Sequence, residues 1–339
     1  MLEQFDKLTA SGFDRDIRLA GSALRRDESK AEELYGLPVD TAIAFCNHKG
    51  IYKRKMERRQ RNLLKKLVFL APFLEPDEKI LHVTSGWSPI TWLDQLLTST
   101  ILYSLKRALF VVTNIRILHI PTTHNLSYRG SIAQIPYTDC MQIRIGWSTM
   151  TAKYKSGRTE KFHYIRRRDR KKIKTLLKNV SLEGRTSPAF ERTHLCPRCT
   201  HPLIKDYYIC PNCSLGFKSK TRATMLSIIF PGGGYFYTRH PIIGTVAAVT
   251  EMLFASMLIF ALLAFFLRCP SDPRGLGQAI AVCAIALVFD KLITILYSNK
   301  CVAEFIPKQP QVEVLIAEAM SRHYAPKLEE MLCTNWRSR

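Results

Sequence analysis

The chain has 339 residues, 47 % of them hydrophobic, with 50 Lys and Arg against 28 Asp and Glu for a formal charge of +22. That length admits two or three folded units, and the absence of internal repeats and low-complexity tracts excludes solenoid and linker-dominated chains. The charge is local: residues 51–200 hold 29 Lys and Arg against 10 Asp and Glu, so that stretch is expected to face an anionic partner.

Residues 1–74 read as a helical N-terminal region. An acidic-to-mixed opening with Glu32, Glu33 and Leu34 gives way at Ile51 to IYKRKMERRQRNLLKKLVFLAPF. There Ile51, Met56, Leu63, Leu64, Leu67 and Val68 are interspersed with eight Lys or Arg between Lys53 and Lys66. This is a basic amphipathic helix. Such a helix either lies on an anionic membrane surface or packs its apolar stripe against the next domain.

From residue 75 to 184 the texture changes to β-branched, alternating segments: KILHVTSGW, RALFVVTN, RILHI, SIAQIPYTD, MQIRIGWSTMTAKY and RTEKFHYI. Period-two alternation, with turn residues at Thr113-Asn114, Ser127 and Ser156-Gly157, predicts an antiparallel sheet. A basic helix, RRRDRKKIKTLLKNV, closes the unit, with Ile173, Leu176 and Leu177 placed to pack on the sheet. The LFVVTNIRILHI hairpin, the GSIAQIPYTDC strand, the YKSGRTEKF hairpin and the closing helix together resemble the bacterial pleckstrin-homology-like (PH-like) and GRAM-like domains. The insert from Thr91 to Leu105 departs from that pattern; it is too short to span a bilayer and either packs on the sheet or dips into the interface. SLEGRTSPAF, from Ser181 to Phe190, reads as a hinge.

Cys196, Cys199, Cys210 and Cys213 follow as CPRC, ten residues, then CPNC. Each knuckle puts two soft ligands on one side of a tight turn, and four thiolates at this reach suit a closed, structural zinc site. His194 or His201 enters the ligand set only by displacing a cysteine. Two disulfides are disfavoured, because a C-x-x-C loop is strained as a structural disulfide and no secretory signal is read. Residues 194–216 resemble the zinc-ribbon family, which implies the metal and leaves the role open.

From Ile242 to Leu267, and again from Leu276 to Tyr297, the sequence is almost unbroken hydrocarbon. At about 1.5 Å per residue each run crosses a hydrocarbon core of about 30 Å. The linker RCPSDPRG is short and nearly neutral, whereas the flanks are basic, so a hairpin with both termini in the cytoplasm is expected, in the inner (cytoplasmic) membrane. Ahead of it, Pro231 and three glycines break the backbone where Tyr235, Phe236 and Tyr237 settle at headgroup depth, and residues 223–230 read as an interfacial or re-entrant helix. Gly232, Gly233, Gly234, Phe236, Tyr237, Gly244 and Asp290 make residues 222–298 resemble small two-span membrane domains with a glycine-rich turn before the first pass. No Lys-Ser or Lys-Thr follows the glycines, so nucleotide binding is not read. Residues 299–339 are expected to form a cytoplasmic helical tail.

Glu251, Asp290 and Lys291 lie inside the apolar runs at similar depth. A structural pair between Glu251 and Lys291 is the favoured reading; an ion or proton path would need a homo-oligomer. The histidines are scattered without HExxH, the serines lack a Gly-x-Ser-x-Gly context, and the remaining cysteines lack companion spacing, so the chain reads as non-enzymatic.

The resulting expectation is a multidomain α+β membrane protein. It combines a PH-like antiparallel domain with a C-terminal helix, a zinc ribbon and a two-span hairpin. Its function is expected to be that of an adaptor or scaffold that binds anionic phospholipid or a protein partner. The binding surface is Lys153, Lys155, Arg158, Lys161, Arg166, Arg167, Arg168, Arg170, Lys171, Lys172 and Lys174. The alternatives are a membrane-tethered nucleic-acid binder, against which the basic helix lacks interleaved aromatics, and a channel or transport component.

Overall fold

The computed structural model describes residues 32–308 apart from 90–105, 124, 179, 181, 183–189 and 268–272. The insert at Thr91–Leu105, most of the hinge and the helical tail lie outside the described residues. What is described is α+β, with one 11-stranded, predominantly antiparallel sheet and seven α-helices among the described residues.

Residues 32–39, expected to be helical, form a hairpin of β1 (Glu32–Leu34) and β2 (Leu37–Val39). Tyr35 and Gly36 both take positive φ, 58° and 73°. That is the backbone of a two-residue primed turn, whose twist matches paired strands. β2 runs parallel to β3 (Ile80–Trp87) through Val39 and Ile80. Short α1 (Thr41–Ala44), capped by the Asp40 carboxylate on the Ile43 N–H, and α2 (Arg54–Leu64) come next. A 3-10 segment, Lys65–Phe73, leads from α2 to the sheet.

β3, β4 (Arg107–Thr113), β5 (Arg116–Pro121) and β6 (Ile132–Pro136) form an antiparallel meander, and their apolar residues divide strictly by face. Val83, Leu109, Val111, Leu118 and Ile120 share one core with Leu64, Leu67, Leu70 and Phe73. Ala108, Phe110, Val112 and Ile117 share another with Met150, Phe162 and Ile173. Burial on both faces explains why RALFVVT reads as continuous hydrocarbon. The basic N-terminal helix therefore packs its stripe on the sheet, and Gln60 completes the seam. Its side-chain amide exchanges hydrogen bonds of 2.9 and 3.0 Å with the Val83 backbone, acting as a missing strand neighbour.

The second core is closed by β7 (Cys140–Ile145), β8 (Thr149–Tyr154), β9 (Thr159–His163) and α3 (Arg167–Lys178). β5 and β9 stand three places apart in the ladder, about 14 Å in a flat sheet. The His119 and Phe162 rings nevertheless lie 5.6 Å apart, so the sheet curls over its own interior.

One surface expectation is overturned here. Lys172 is buried, on the same helical face as Asp169, Ile173 and Leu176, and its Nζ donates to the carbonyls of Ile43, Ala44 and Cys46 at 2.6, 2.8 and 2.8 Å. Helix spacing puts position 172 on the core side, and the orphan carbonyls ending α1 supply the acceptors. Burial pulls its pKa down to about 8. Lys172→Met is expected to cost about 3 kcal/mol, because it strands buried acceptors. Lys174→Met, at an exposed site, should stay within about 0.5 kcal/mol. Thermal unfolding of the full chain in detergent, compared between the two variants, checks this.

Candidate metal centre and charged sites

β10 (Thr193–Leu195) adds to β6 and pairs with β11 (Pro202–Leu203), so the sheet runs directly into the cysteine segment. Each knuckle closes the same way: Thr200 N–H donates to Cys196 O and Ser214 N–H to Cys210 O, at 2.9 and 3.0 Å. Thr200 and Ser214 take φ of 59° and 57°, turning the chain back after the second cysteine of each pair. The result is a cluster in which all four sulfurs lie within 4.8 Å of one another. Cys196 and Cys213, and likewise Cys199 and Cys210, are 3.5 Å apart as free thiols. A tetrahedral ion at about 2.3 Å from four sulfurs separates them by about 3.8 Å, so the cluster is sized to hold one metal ion. Burial pushes the Cys196 thiol up, partly offset by the N–H groups of Arg198 and Cys199 directed at its sulfur. A bound cation would supply the charge that favours thiolate.

His194 is half-buried against the Phe305 ring at 5.0 Å, and His201 is exposed; neither joins the cluster. Phe305 also packs edge-on to Phe217, at 5.5 Å, in the core that surrounds the cysteines. Backbone bonds from Lys218 N–H to Ile306 O and from Lys308 N–H to Gly216 O then fasten the segment leaving the cysteines to the chain returning from the last helix.

Between those two strands of chain lie α4 (Lys220–Ile229), α5 (Gly233–Tyr237), α6 (Pro241–Leu267) and α7 (Pro273–Val302). α6 and α7 are long and apolar enough to cross a membrane. Their apolar side chains, among them Val249, Leu253, Phe260, Ile285 and Phe289, remain uncovered by protein, unlike the core helices of a soluble fold. The glycine turn is a packing device. A Cβ at Gly232 would sit 2.2 Å from Gly244 O, and one at Gly234 would sit 2.0 Å from Ser227 Oγ.

Lys291 Nζ lies 2.6 Å from the Glu251 carboxylate and donates at 2.8 Å to Ser227 O, joining α7, α6 and α4. Asp290 lies beside Glu251.

Of the proposed basic surface, Lys153, Lys155, Lys161, Arg166, Arg167, Arg168, Lys171 and Lys174 are exposed. Arg158 pairs with Glu160 and Glu191 at 3.1 and 2.7 Å, and Arg170 is half-buried.

Nothing in the sequence marks a buried polar cluster inside the curl of the sheet, beside Phe110 and Phe162. Ser88 Oγ lies 2.9 Å from His119 Nε2, and Arg192 lies 3.1 Å from His119 Nδ1, with Glu160 and Glu304 beside Arg192. Arg192 donates to Nδ1, so the neutral ring carries its proton on Nε2 and gives it to Ser88. A serine held in this way is not activated as a nucleophile. Burial, reinforced by Arg192, lowers the His119 pKa to about 3. No spacing in the sequence connects residues this far apart.

No protein-family model, curated protein or solved structure matches the chain.

Two outcomes follow from these sites. Elemental analysis of the purified chain should find one metal ion per molecule, lost in a Cys196→Ser, Cys213→Ser double variant. Glu251→Gln should destabilise the helical unit by about 3 kcal/mol by leaving a half-buried cation short of its counter-charge, whereas Glu251→Leu with Lys291→Leu should recover most of that loss. Thermal unfolding in detergent reads the second comparison, and single variants as stable as the parent would overturn it.

Proposed function

We propose that the chain is a membrane-anchored adaptor. In this reading α6 and α7 span the inner membrane, the four cysteines hold a structural zinc ion, and the curled sheet is a PH-like domain working at an anionic lipid surface. The observation that carries it is the fastening of both ends of the apolar hairpin to the cysteine knuckle. It is reinforced by Arg129, whose Nη1 lies 2.8 Å from Nε2 of His240, one residue before α6. A sheet held so tightly to the base of two apolar helices has the bilayer as its nearest neighbour.

Zinc is favoured over other metals because the set is four thiolates in a closed cluster. The lipid reading rests on α3. Arg167, Lys171, Lys174 and Lys178 are exposed along the helix face opposite Asp169, Lys172 and Ile173. Each Lys or Arg beside an anionic surface contributes about 1 kcal/mol, and exposed charge is screened beyond about 8 Å at physiological ionic strength. Recognition of a protein is the second reading, and it has its own observation: β7 ends the ladder, and Trp147, in the hairpin after it, is 85 % exposed.

The full chain, reconstituted in neutral nanodiscs, should co-sediment with anionic vesicles at low salt and release as salt rises. Changing Arg167, Arg168, Lys171 and Lys174 together to Gln should weaken that binding strongly. Equal binding to neutral vesicles, or tighter binding to RNA at matched salt, would overturn the lipid reading.

A further inference from the structure

Away from the exposed face of α3, a separate cavity of about 310 Å³ opens between α2, the sheet and the loop that follows β5. Lys55, Arg58, Arg59, Arg107 and Arg166 line it, and among the described residues none of the lining is acidic. Positions 55, 58, 59 and 62 recur at i, i+3, i+4 and i+7, so α2 presents a single face of two arginines, a lysine and Asn62 to the cavity. Ser85 of β3 adds a hydroxyl, while Leu63 and Leu126 supply the apolar part of the lining.

The carboxylate that orients Arg59 stands outside the lining. Asp169 lies fully buried to one side, taking two hydrogen bonds from Arg59 and one of 2.7 Å from Thr84 Oγ1. Burial would raise its pKa, but His82, with Nε2 3.5 Å away, and the Arg59 guanidinium override this and hold it well below the usual carboxylate range. Asp169 therefore orients one guanidinium, and Lys55, Arg58 and Arg166 bring further positive charge to the same cavity. Like charges converging on an open cavity repel, and a multivalent anion placed between them relieves that repulsion. Planar arginine forks match the oxygens of a phosphate, and Asn62 and Ser85 add neutral hydrogen-bonding groups. The volume is at the small end for ligand sites, enough for a headgroup and not for a nucleotide with its base.

We infer that this cavity is a binding site for a phosphate group, presented by the headgroup of an anionic phospholipid. The inference rests on the reading that the sheet works at a lipid surface. It deepens that reading, because Leu126 belongs to the loop whose Arg129 contacts His240 at the entry to α6. The site is distinct from the α3 face: it captures one phosphate stoichiometrically, whereas the face adsorbs diffusely. A free phosphate ester offers the same chemistry, so the test separates the two sources.

The full chain in neutral phosphatidylcholine nanodiscs is titrated calorimetrically with dihexanoyl phosphatidic acid, with inorganic phosphate, and with dihexanoyl phosphatidylcholine as the blank. Saturable binding of one phosphatidic acid per chain is expected. Arg58→Gln with Arg166→Gln should weaken it by about tenfold or more, the loss of at least one charged hydrogen bond. Arg167→Gln with Lys171→Gln should leave it within about twofold, as expected where only screened surface charge is removed. Both pairs are exposed, so unchanged melting temperatures confirm that folding is intact. Saturable binding of inorganic phosphate as tight as that of the lipid would support the cavity and overturn the lipid headgroup as its source. No saturable binding of either probe, no effect of the cavity pair, or an equal effect of the α3 pair would overturn the site. Vesicle co-sedimentation, measured separately, shows whether the surface reading stands or falls independently.

Discussion

Cations seated on orphan backbone carbonyls hold this molecule together. Four helical segments end inside the protein, and at each end a Lys or Arg from a distant part of the chain meets the unpaired carbonyls. Lys172 closes α1, and Arg116 Nη2 reaches Phe73 O at the end of the 3-10 segment, at 2.7 Å. Lys291 closes α4, and Lys218 donates to Tyr237 O at the end of α5. A helix terminus carries partial negative charge on exposed C=O groups, and a cation there satisfies both the charge and the missing hydrogen bonds. Because each cation comes from another element, every cap is also a tertiary link. Part of the positive charge is therefore structural.

These links explain how the sheet and the apolar hairpin are joined. The sheet is buried on both faces, so it needs the N-terminal segment on one side and β7–β9 with α3 on the other. Lys172 joins those two covers through α1. Arg116 ties the N-terminal cover to the sheet itself, since besides Phe73 O it pairs with Glu78, just before β3, both side chains being buried, at 2.6 Å. A piece of chain from 75 to 184 alone would expose the face that Leu64, Leu67 and Leu70 cover, about 2 kcal/mol of lost burial for each side chain. The cysteine knuckle plays the corresponding role at the base of the apolar hairpin, where Phe305 and Phe217 share its core.

Features that depend on local spacing were legible in the sequence. The two C-x-x-C pairs, the two hydrocarbon runs and the period-two alternation of the sheet each arise from neighbours a few residues apart. The proximity of Glu251 to Lys291 was legible as well, because depth along two helices can be counted. What the sequence concealed was pairing between distant segments. Lys172 looked like one of many basic residues in RRRDRKKIK, and only the helical phase it shares with Asp169, Ile173 and Leu176 marked it as inward. Glu32 to Leu34 looked helical because acidic residues favour a solvated helix, and the Tyr35-Gly36 turn outweighed that preference.

The N-terminal helix shows most sharply why a charge run is ambiguous. Along α2 one face, with Gln60, Leu63 and Leu64, enters the core, and that stripe was visible as scattered hydrophobics. The adjoining face, Lys55, Arg58, Arg59 and Asn62, has the same composition as a solvated helix surface, and its meaning changes only when Arg107 and Arg166 arrive from β4 and from the turn before α3. Asp169 then distinguishes the two kinds of arginine on that helix. By binding Arg59 from the buried side it fixes α2 against α3, and with them the separation of the remaining cations. The carboxylate thus sets the geometry of a basic cavity without lining it. A change that removed it would be felt first as a loosening of α2 on the sheet, and only through that as a loss of anion binding.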